Sequence, residues 1–226
     1  DDDTATVTLT ASSNSIAEAG GSSTLTATLS SASFENVVVS LGFSGTAISS
    51  EYTASATSIT IAAGQTTGTA ILTAIADTSV EASETIIVDI TGVSGGSASE
   101  SSIQQQTVTI TDDETVSVSL SVDDTTMAEA AGTRTVTATL GQATFEDVIV
   151  SLGYSGTAVS GTDYSTPAGS ITITTGQTTG TTTLTATADS SVEASETIIV
   201  DITGVSGGSA FESSTQQQTV TITDDD

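Results

Sequence analysis

The chain has 226 residues, of which 28 are Asp or Glu and only one, Arg134, is basic, giving a formal net charge of −27 at neutral pH. Binding phosphates takes the Lys and Arg that this chain lacks, so nucleic acid and acidic membrane surfaces are poor partners for it, and divalent cations are the natural counter-charge. It also has no cysteine, histidine or lysine, which excludes disulfides, thiolate and imidazole metal sites, His-based nucleophilic triads and Lys-Asn isopeptide bonds, and leaves oxygen as the ligand atom for a hard cation.

In chain order, Asp1-Asp2-Asp3 reads as the end of a preceding repeat, and an acidic-ended unit is then written twice, over residues 4–114 and 115–226. Within the first unit, apolar residues alternate at Leu25, Ala27, Leu29, then at Val37, Val39, Leu41, then at Ile86, Val88, Ile90, and again at Val108 and Ile110. Period two places one face of a strand inward, so these segments are half-buried β-strands. Turn signals separate them at Gly20-Gly21, Ala63-Gly64-Gln65 and Gly95-Gly96. The second unit repeats the order with informative changes: Ile71 and Ile75 become Thr183 and Thr187 while Leu72 and Ala74 stay apolar as Leu184 and Ala186, so the variable positions face water. Each unit ends in Thr-Val-Thr-Ile-Thr followed by Asp112-Asp113-Glu114 or Asp224-Asp225-Asp226.

About seven short strands in a unit of this size predict an all-β chain of two tandem immunoglobulin-like antiparallel β-sandwich domains. No stretch approaches the roughly 20 apolar residues that span a bilayer, so this segment does not insert into a membrane. The aromatic residues Phe34, Phe43 and Tyr52 correspond to Phe145, Tyr154 and Tyr164 and read as core or sheet-end plugs. Asp123 and Asp124 stand where the first unit has Ser12 and Ser13 and read as a solvated loop, and Arg134 reads as a surface cation.

When the units are superposed, Glu18 meets Glu129, Glu35 meets Glu146, Glu51 meets Asp163, Asp77 meets Asp189, Glu81 meets Glu193 and Glu84 meets Glu196. The string Ala-Ile-Ala-Asp77-Thr-Ser-Val-Glu81-Ala-Ser-Glu84-Thr-Ile-Ile-Val, closed by Thr-Val-Thr-Ile-Thr-Asp-Asp, resembles the Calx-beta family, as do Ile16-Ala-Glu18 and Gly161-Thr-Asp163-Tyr164. The resemblance covers both units almost end to end. It implies β-sandwiches whose loops gather acidic side chains around calcium at one end, as in the regulatory region of sodium-calcium exchangers. Carried over position by position, it implies Glu18, Glu51, Asp77, Glu81, Glu84, Asp112, Asp113 and Glu114 as ligands in the first unit. In the second unit it implies Glu129, Asp163, Asp189, Glu193, Glu196, Asp224, Asp225 and Asp226. Ala76 and Ala188 stand where calcium-rich members carry another Asp, and Glu51 replaces an Asp, so fewer ions per unit are expected than those members hold.

Function follows as an expectation of the same resemblance, many members of which occur in bacterial surface proteins. The leading expectation is a calcium-stiffened stalk or filament segment of an extracellular bacterial surface protein or adhesin, with neighbouring repeats of the same chain as partners. The alternative is a recognition module for glycans, another cell or a filament subunit. Catalysis is not expected: a carboxylate pair such as Glu81 and Glu84 could serve acid-base chemistry, but calcium ligation accounts better for acids that recur in both units.

Overall fold

The computed structural model describes residues 4–130, 132–165 and 167–226; Asp1–Asp3, with the expectation attached to them, lie outside the described residues. By contacts the chain forms two units, the first running to Thr78 and resuming over Ala82–Asp113, the second comprising Ser79–Glu81 and Glu114–Asp226.

The first unit contains β1 (Thr6–Ala11), β2 (Ser15–Ala17), β3 (Ser22–Leu29), β4 (Val37–Gly45), β5 (Tyr52–Ala54), β6 (Ser58–Ile61), β7 (Thr67–Ala74), β8 (Glu84–Ser94), β9 (Ser99–Glu100) and β10 (Gln105–Thr111). They form two five-stranded sheets, ordered β5-β7-β3-β1-β9 and β2-β10-β8-β4-β6. The second unit contains β11 (Val116–Val122), β12 (Thr126–Ala128), β13 (Thr133–Leu140), β14 (Val148–Gly156), β15 (Ser170–Ile173), β16 (Thr179–Thr185), β17 (Glu196–Ser206), β18 (Ala210–Glu212) and β19 (Gln217–Thr223). Its sheets are ordered β16-β13-β11-β18 and β12-β19-β17-β14-β15. The counterpart of β5 is reduced to an isolated bridge between Tyr164 and Ala186. Seven strands in each unit have four residues or more, which is the number that alternation predicts. The remaining strands have two or three residues, too few for a periodicity to register.

Alternation fills the space between the sheets. Val7, Leu9, Leu25, Ala27, Leu29, Leu72, Ile86, Val88 and Val108 are buried in the first unit, and Val118, Leu120, Val136, Leu184, Ile198, Val200 and Val220 in the second. Each fully buried Val, Leu or Ile contributes about 1.5–3 kcal/mol relative to exposure. Ile71, Ile75, Thr183 and Thr187 face water as expected, while Leu72, Ala74, Leu184 and Ala186 face inward.

The aromatic residues divide. Phe43 and Tyr52 pack together with ring centroids 6.3 Å apart, and Tyr164 is buried. Tyr154 donates its hydroxyl to the Ala168 carbonyl at 2.8 Å; burial, with a smaller contribution from Tyr164, pushes its phenol up to about 12. Phe34 and Phe145 correct the expectation of a plug, since they are 99% and 43% exposed. Both lie in the turn after the last inward residue of a strand, Leu29 or Leu140, where the core has already ended.

The three-glutamine runs supply a contact that hydrophobic patterning does not reveal. β9 pairs only with Thr6 and Val7 of β1. Beyond it, Leu9 N–H donates to Gln104 Oε1 at 3.2 Å and Leu9 O accepts from Gln106 Nε2 at 3.1 Å. Gln216 and Gln218 treat Leu120 in the same way, at 3.2 and 3.1 Å. Two side-chain amides thus continue an edge strand and tie one sheet to the other, each bond adding about 0.5–1.5 kcal/mol.

Glycine is required where β4 and β14 end beside the first residues of β8 and β17. Gly45 and Gly156 have φ of 120° and 119°, and a Cβ on either would lie 2.1 Å from the carbonyl oxygen of Thr85 or Thr197. Gly156→Ala is expected to destabilise the second unit by about 2–4 kcal/mol, and Gly204→Ala, with nothing within 4 Å of its added Cβ, by less than about 1 kcal/mol. Urea denaturation midpoints check this, and equal costs at the two positions would contradict it.

Candidate metal centre

Strand direction gathers the acidic residues. In the second unit β12 runs parallel to β19, so Glu129 and Asp224, which follow these strands, emerge at the same end. β17 runs antiparallel to β19 and starts there with Glu196 opposite Ile222. Asp163 is brought alongside by the Tyr164–Ala186 bridge and by the bond from Thr187 N to its carbonyl, 2.9 Å. The same topology in the first unit directs Glu18, Glu51, Asp77, Glu84 and Asp112 to one end.

Asp163, Glu193 and Glu196 each place a carboxylate oxygen within 4.8 Å of the other two. They line a shallow depression with Glu129, Ala194, Ile222 and Asp224. Glu129 is 6% exposed and accepts the Asp189 amide on Oε1 at 2.9 Å. Asp224 has a buried Oδ1 that no N–H or O–H donor of the described residues reaches, and its neighbour there is the Glu129 carboxyl. Asp163 Oδ2 accepts from Val159 N at 2.6 Å and Asp189 Oδ1 from Ser191 N at 2.6 Å. Asp225 turns outward to cap Ala130 N at 3.0 Å, and Asp226 is exposed.

The first unit repeats part of this geometry. Glu18 is 6% exposed, accepts the Asp77 amide at 2.9 Å, and has a carboxylate oxygen within 4.8 Å of one on Asp112. Asp113 caps Ala19 N at 3.2 Å, so adjacent acids point in different directions, as their spacing requires. Glu51 closes its own turn by accepting Ile48 N. Among the described residues, Glu51, Glu81 and Glu84 do not form the three-acid group that Asp163, Glu193 and Glu196 form. Contacts assign Glu81 and Glu114 to the second unit.

Burial first, then the charges of Asp189, Asp163 and Asp224, raise the Glu193 carboxyl above its ordinary range. Glu196 is raised by burial, by a hydrogen bond to and the charge of Asp163, and by Glu193 and Glu129. The largest single influence on Glu129 is the Asp189 amide, which lowers it, but burial and the charges of Asp189 and Asp224 together prevail and raise it. Glu18 is raised by burial, opposed by the Asp77 amide and reinforced by the charges of Asp77, Asp112 and Asp113. Two carboxylates can hydrogen-bond only by sharing a proton, and a divalent cation can take that proton's place.

Arg134 does not relieve this repulsion. Its Nη2 lies 3.6 Å from Asp124 Oδ2, and its Nη1 donates to Thr133 O. Asp123 and Asp124 are exposed, as expected of a solvated loop, yet they are also structural. Asp123 Oδ1 accepts the Thr135 amide at 3.0 Å and Asp124 Oδ1 the Thr126 amide at 3.1 Å. Thr126 N–H is the first cause holding Asp124 below its ordinary value. Asp89 and Asp201 are mid-strand carboxylates, each with one buried oxygen that no donor among the described residues reaches. Their outward positions in β8 and β17 look solvent-facing in the alternation, so no pattern marks them.

The model of the Calx-beta domain matches residues 112–226, and the model of the LapA domain matches residues 3–115. The Calx-beta description therefore falls on the second half, and the first half carries the LapA description. Among solved structures, CBD12 from CALX1.2 is 16% identical over 88% of this chain and 80% of its own, with a TM-score of 0.43. The apo-form Calx CBD1 domain is 20% identical over 48% of this chain and 98% of its own, with a TM-score of 0.41. The calcium binding domain CBD12 of CALX1.1 is 15% identical over 82% and 76%, with a TM-score of 0.39. No curated protein matches.

The raised carboxyls set the sign of a pH dependence in metal-free protein. A group raised in the folded state adds stability below its unfolded value, ordinarily 4.5 for Glu, and that stability is lost as pH rises through the folded value. In EDTA the melting temperature is therefore expected to rise as pH falls from 7 towards about 5. Saturating calcium should remove most of that dependence, and a melting temperature in EDTA that falls over the same interval would contradict the assignment.

Proposed function

Because the chain belongs to the Calx-beta domain family through residues 112–226 and to the LapA domain family through residues 3–115, we propose that it is a calcium-binding structural segment whose ions stiffen a stalk or filament of an extracellular surface protein. The observation that carries this reading is the Asp163, Glu193 and Glu196 group, three carboxylates from two segments of the chain within 4.8 Å of one another. Calcium takes six to eight oxygens, and three carboxylates can supply up to six, with main-chain carbonyls and water completing the shell.

In the second unit Asp163, Glu193 and Glu196 form the centre of the site, with Glu129, Asp189 and Asp224 beside them. Asp225 and Asp226 stand at its rim. In the first unit Glu18 and Asp112, the counterparts of Glu129 and Asp224, are the acids brought together, and Glu51, Asp77, Glu81, Glu84, Asp113 and Glu114 are the remaining ligand candidates. A mechanical role fits a chain in which the acids gather at strand ends and the sheets between them are tied by side-chain amides. Near absence of Lys and Arg removes trypsin-type cleavage sites and suits exposure outside a cell. Among the described residues, no helix is long and apolar enough to cross a membrane. The partners proposed are neighbouring repeats of the same chain, and the segment performs no catalysis.

Extracellular calcium modules bind with dissociation constants of about 10⁻⁴ to 10⁻³ M, so calcium at about 10 mM is expected to add roughly 1.4–2.7 kcal/mol per site. Thermal melts and small-angle scattering in EDTA, then with calcium restored, should show a melting temperature several degrees higher and a longer, stiffer particle. Glu196→Gln should raise the metal-free melting temperature by removing a repelling charge, and should reduce the calcium response. Unchanged melting and unchanged length on adding calcium would overturn the proposal.

A further inference from the structure

The two units differ along one edge of a sheet. In the first, β5 lies against β7, and beyond it Ser55 continues the cover: its N–H donates to Ile71 O and its Oγ accepts the Ile71 N–H, both at 2.8 Å. In the second, Pro167 stands where the first unit has Ser55, and proline has no N–H to donate. The cover there ends with the bond from Ser165 N to Thr185 O, 2.9 Å, and β16 is left as the edge of its sheet.

Hydrogen-bond alternation fixes which backbone groups that edge presents. At one end of β16 Thr178 O accepts from Leu140 N, and at the other Ala186 N donates to Gly132 O, each at 2.8 Å, so the even-numbered residues face β13. Thr179, Thr181 and Thr183 therefore turn their N–H and C=O away from the sheet. Among the described residues nothing pairs with these groups, and the three side chains are exposed. Edge strands are ordinarily guarded by charge, proline or a bulge, and residues 179–183 have none of these. Residues 164–188 carry no charge at all, in a chain whose net charge is −27. The unit's other edge strands are shorter, and two of them carry or adjoin acids: β18 contains Glu212, and β12 lies between Asp124 and Glu129.

We infer that β16 pairs with β16 of a second copy, antiparallel, about a two-fold axis at Thr181. That register sets Thr179 against the second copy's Thr183 and Thr181 against itself, so every presented N–H meets a C=O. The threonines also meet as β-branched cross-strand pairs. A second copy is the occupant that the observations support, because the edge is complementary to itself in this register and because an uncharged run is where two strongly acidic chains approach with least repulsion. The contact is isologous and closes at a dimer. It is small, hence weak, and screening of the net charge strengthens it. It rests on neither the metal centre nor the proposed function.

Sedimentation equilibrium of the full chain tests this, in EDTA and about 0.5 M NaCl to screen the net charge, over a series up to about 1 mM protein, where weak contacts populate. The average mass is expected to rise towards that of a dimer and stop there, and amide hydrogen exchange at Thr179, Thr181 and Thr183 should slow over the same range. Thr181→Glu sets like charges face to face across the axis and should weaken the dimer at least about tenfold. Thr69→Glu, the same change at the matching position of the first unit, should leave it unchanged. Both threonines are exposed, and circular dichroism should show both variants folded. A wild-type chain that stays monomeric, a mass that passes dimer, unchanged exchange at the three amides, or a dimer that responds equally to the two substitutions would overturn the inference. Calcium is absent throughout, so these outcomes leave the proposed function standing, and a missing calcium response would overturn that function and leave this inference standing.

Discussion

Like charge held at one end of a β-sandwich is the constraint on which the rest of this molecule turns. The carboxylates cannot separate, because each is fixed by the strand that ends or begins beside it. Glu129 and Asp224 exit from paired parallel strands, Glu196 opens the strand between β14 and β19, and Asp163 is clamped by the bridge at Tyr164. Nor is the charge neutralised from within, since the one arginine is engaged with Asp124. Burial and mutual repulsion therefore raise the Glu193 and Glu196 carboxyls together. A fold that gathers acids in this way offers a cation oxygen ligands from more than one loop.

The frame that holds the charge is economical in side chains. Its core is aliphatic, and its outward strand positions are mostly Thr and Ser. Its sheets are held by backbone and amide bonding. The glutamine side chains act as a short piece of strand along the edge of β1 and of β11, and Gly156 lets β14 turn where Thr197 would otherwise block it.

Much of this was legible in the sequence because its physics is periodic. Alternation at Leu25, Ala27 and Leu29 fixes which face is inward, and the exchange of Ile71 for Thr183 identifies the outward one. Superposition of the two halves placed the acids at matching positions before any strand end was known. What stayed hidden has no period. β9 has two residues and cannot alternate, and Gln104 and Gln106 look like polar linker until Leu9 is seen between them. Phe34 and Phe145 read as core because aromatic residues usually are, and only the position of the turn shows that the core ends before them. The unequal grouping of the two acid sets depends on how the segment before Glu84 or Glu196 folds, and the nearly identical strings Asp-Thr-Ser-Val-Glu and Asp-Ser-Ser-Val-Glu do not distinguish the two.

The most direct test of the central claim is equilibrium dialysis against radioactive calcium, with wild type compared to a chain carrying Asp163→Asn and Glu196→Gln. Saturable binding with a dissociation constant of about 1 mM or tighter, and the loss of at least one equivalent in the double variant, is the predicted result. Non-saturable uptake that simply follows net charge, equal in both proteins, would mean that the acids form a solvated rim and that no metal centre exists.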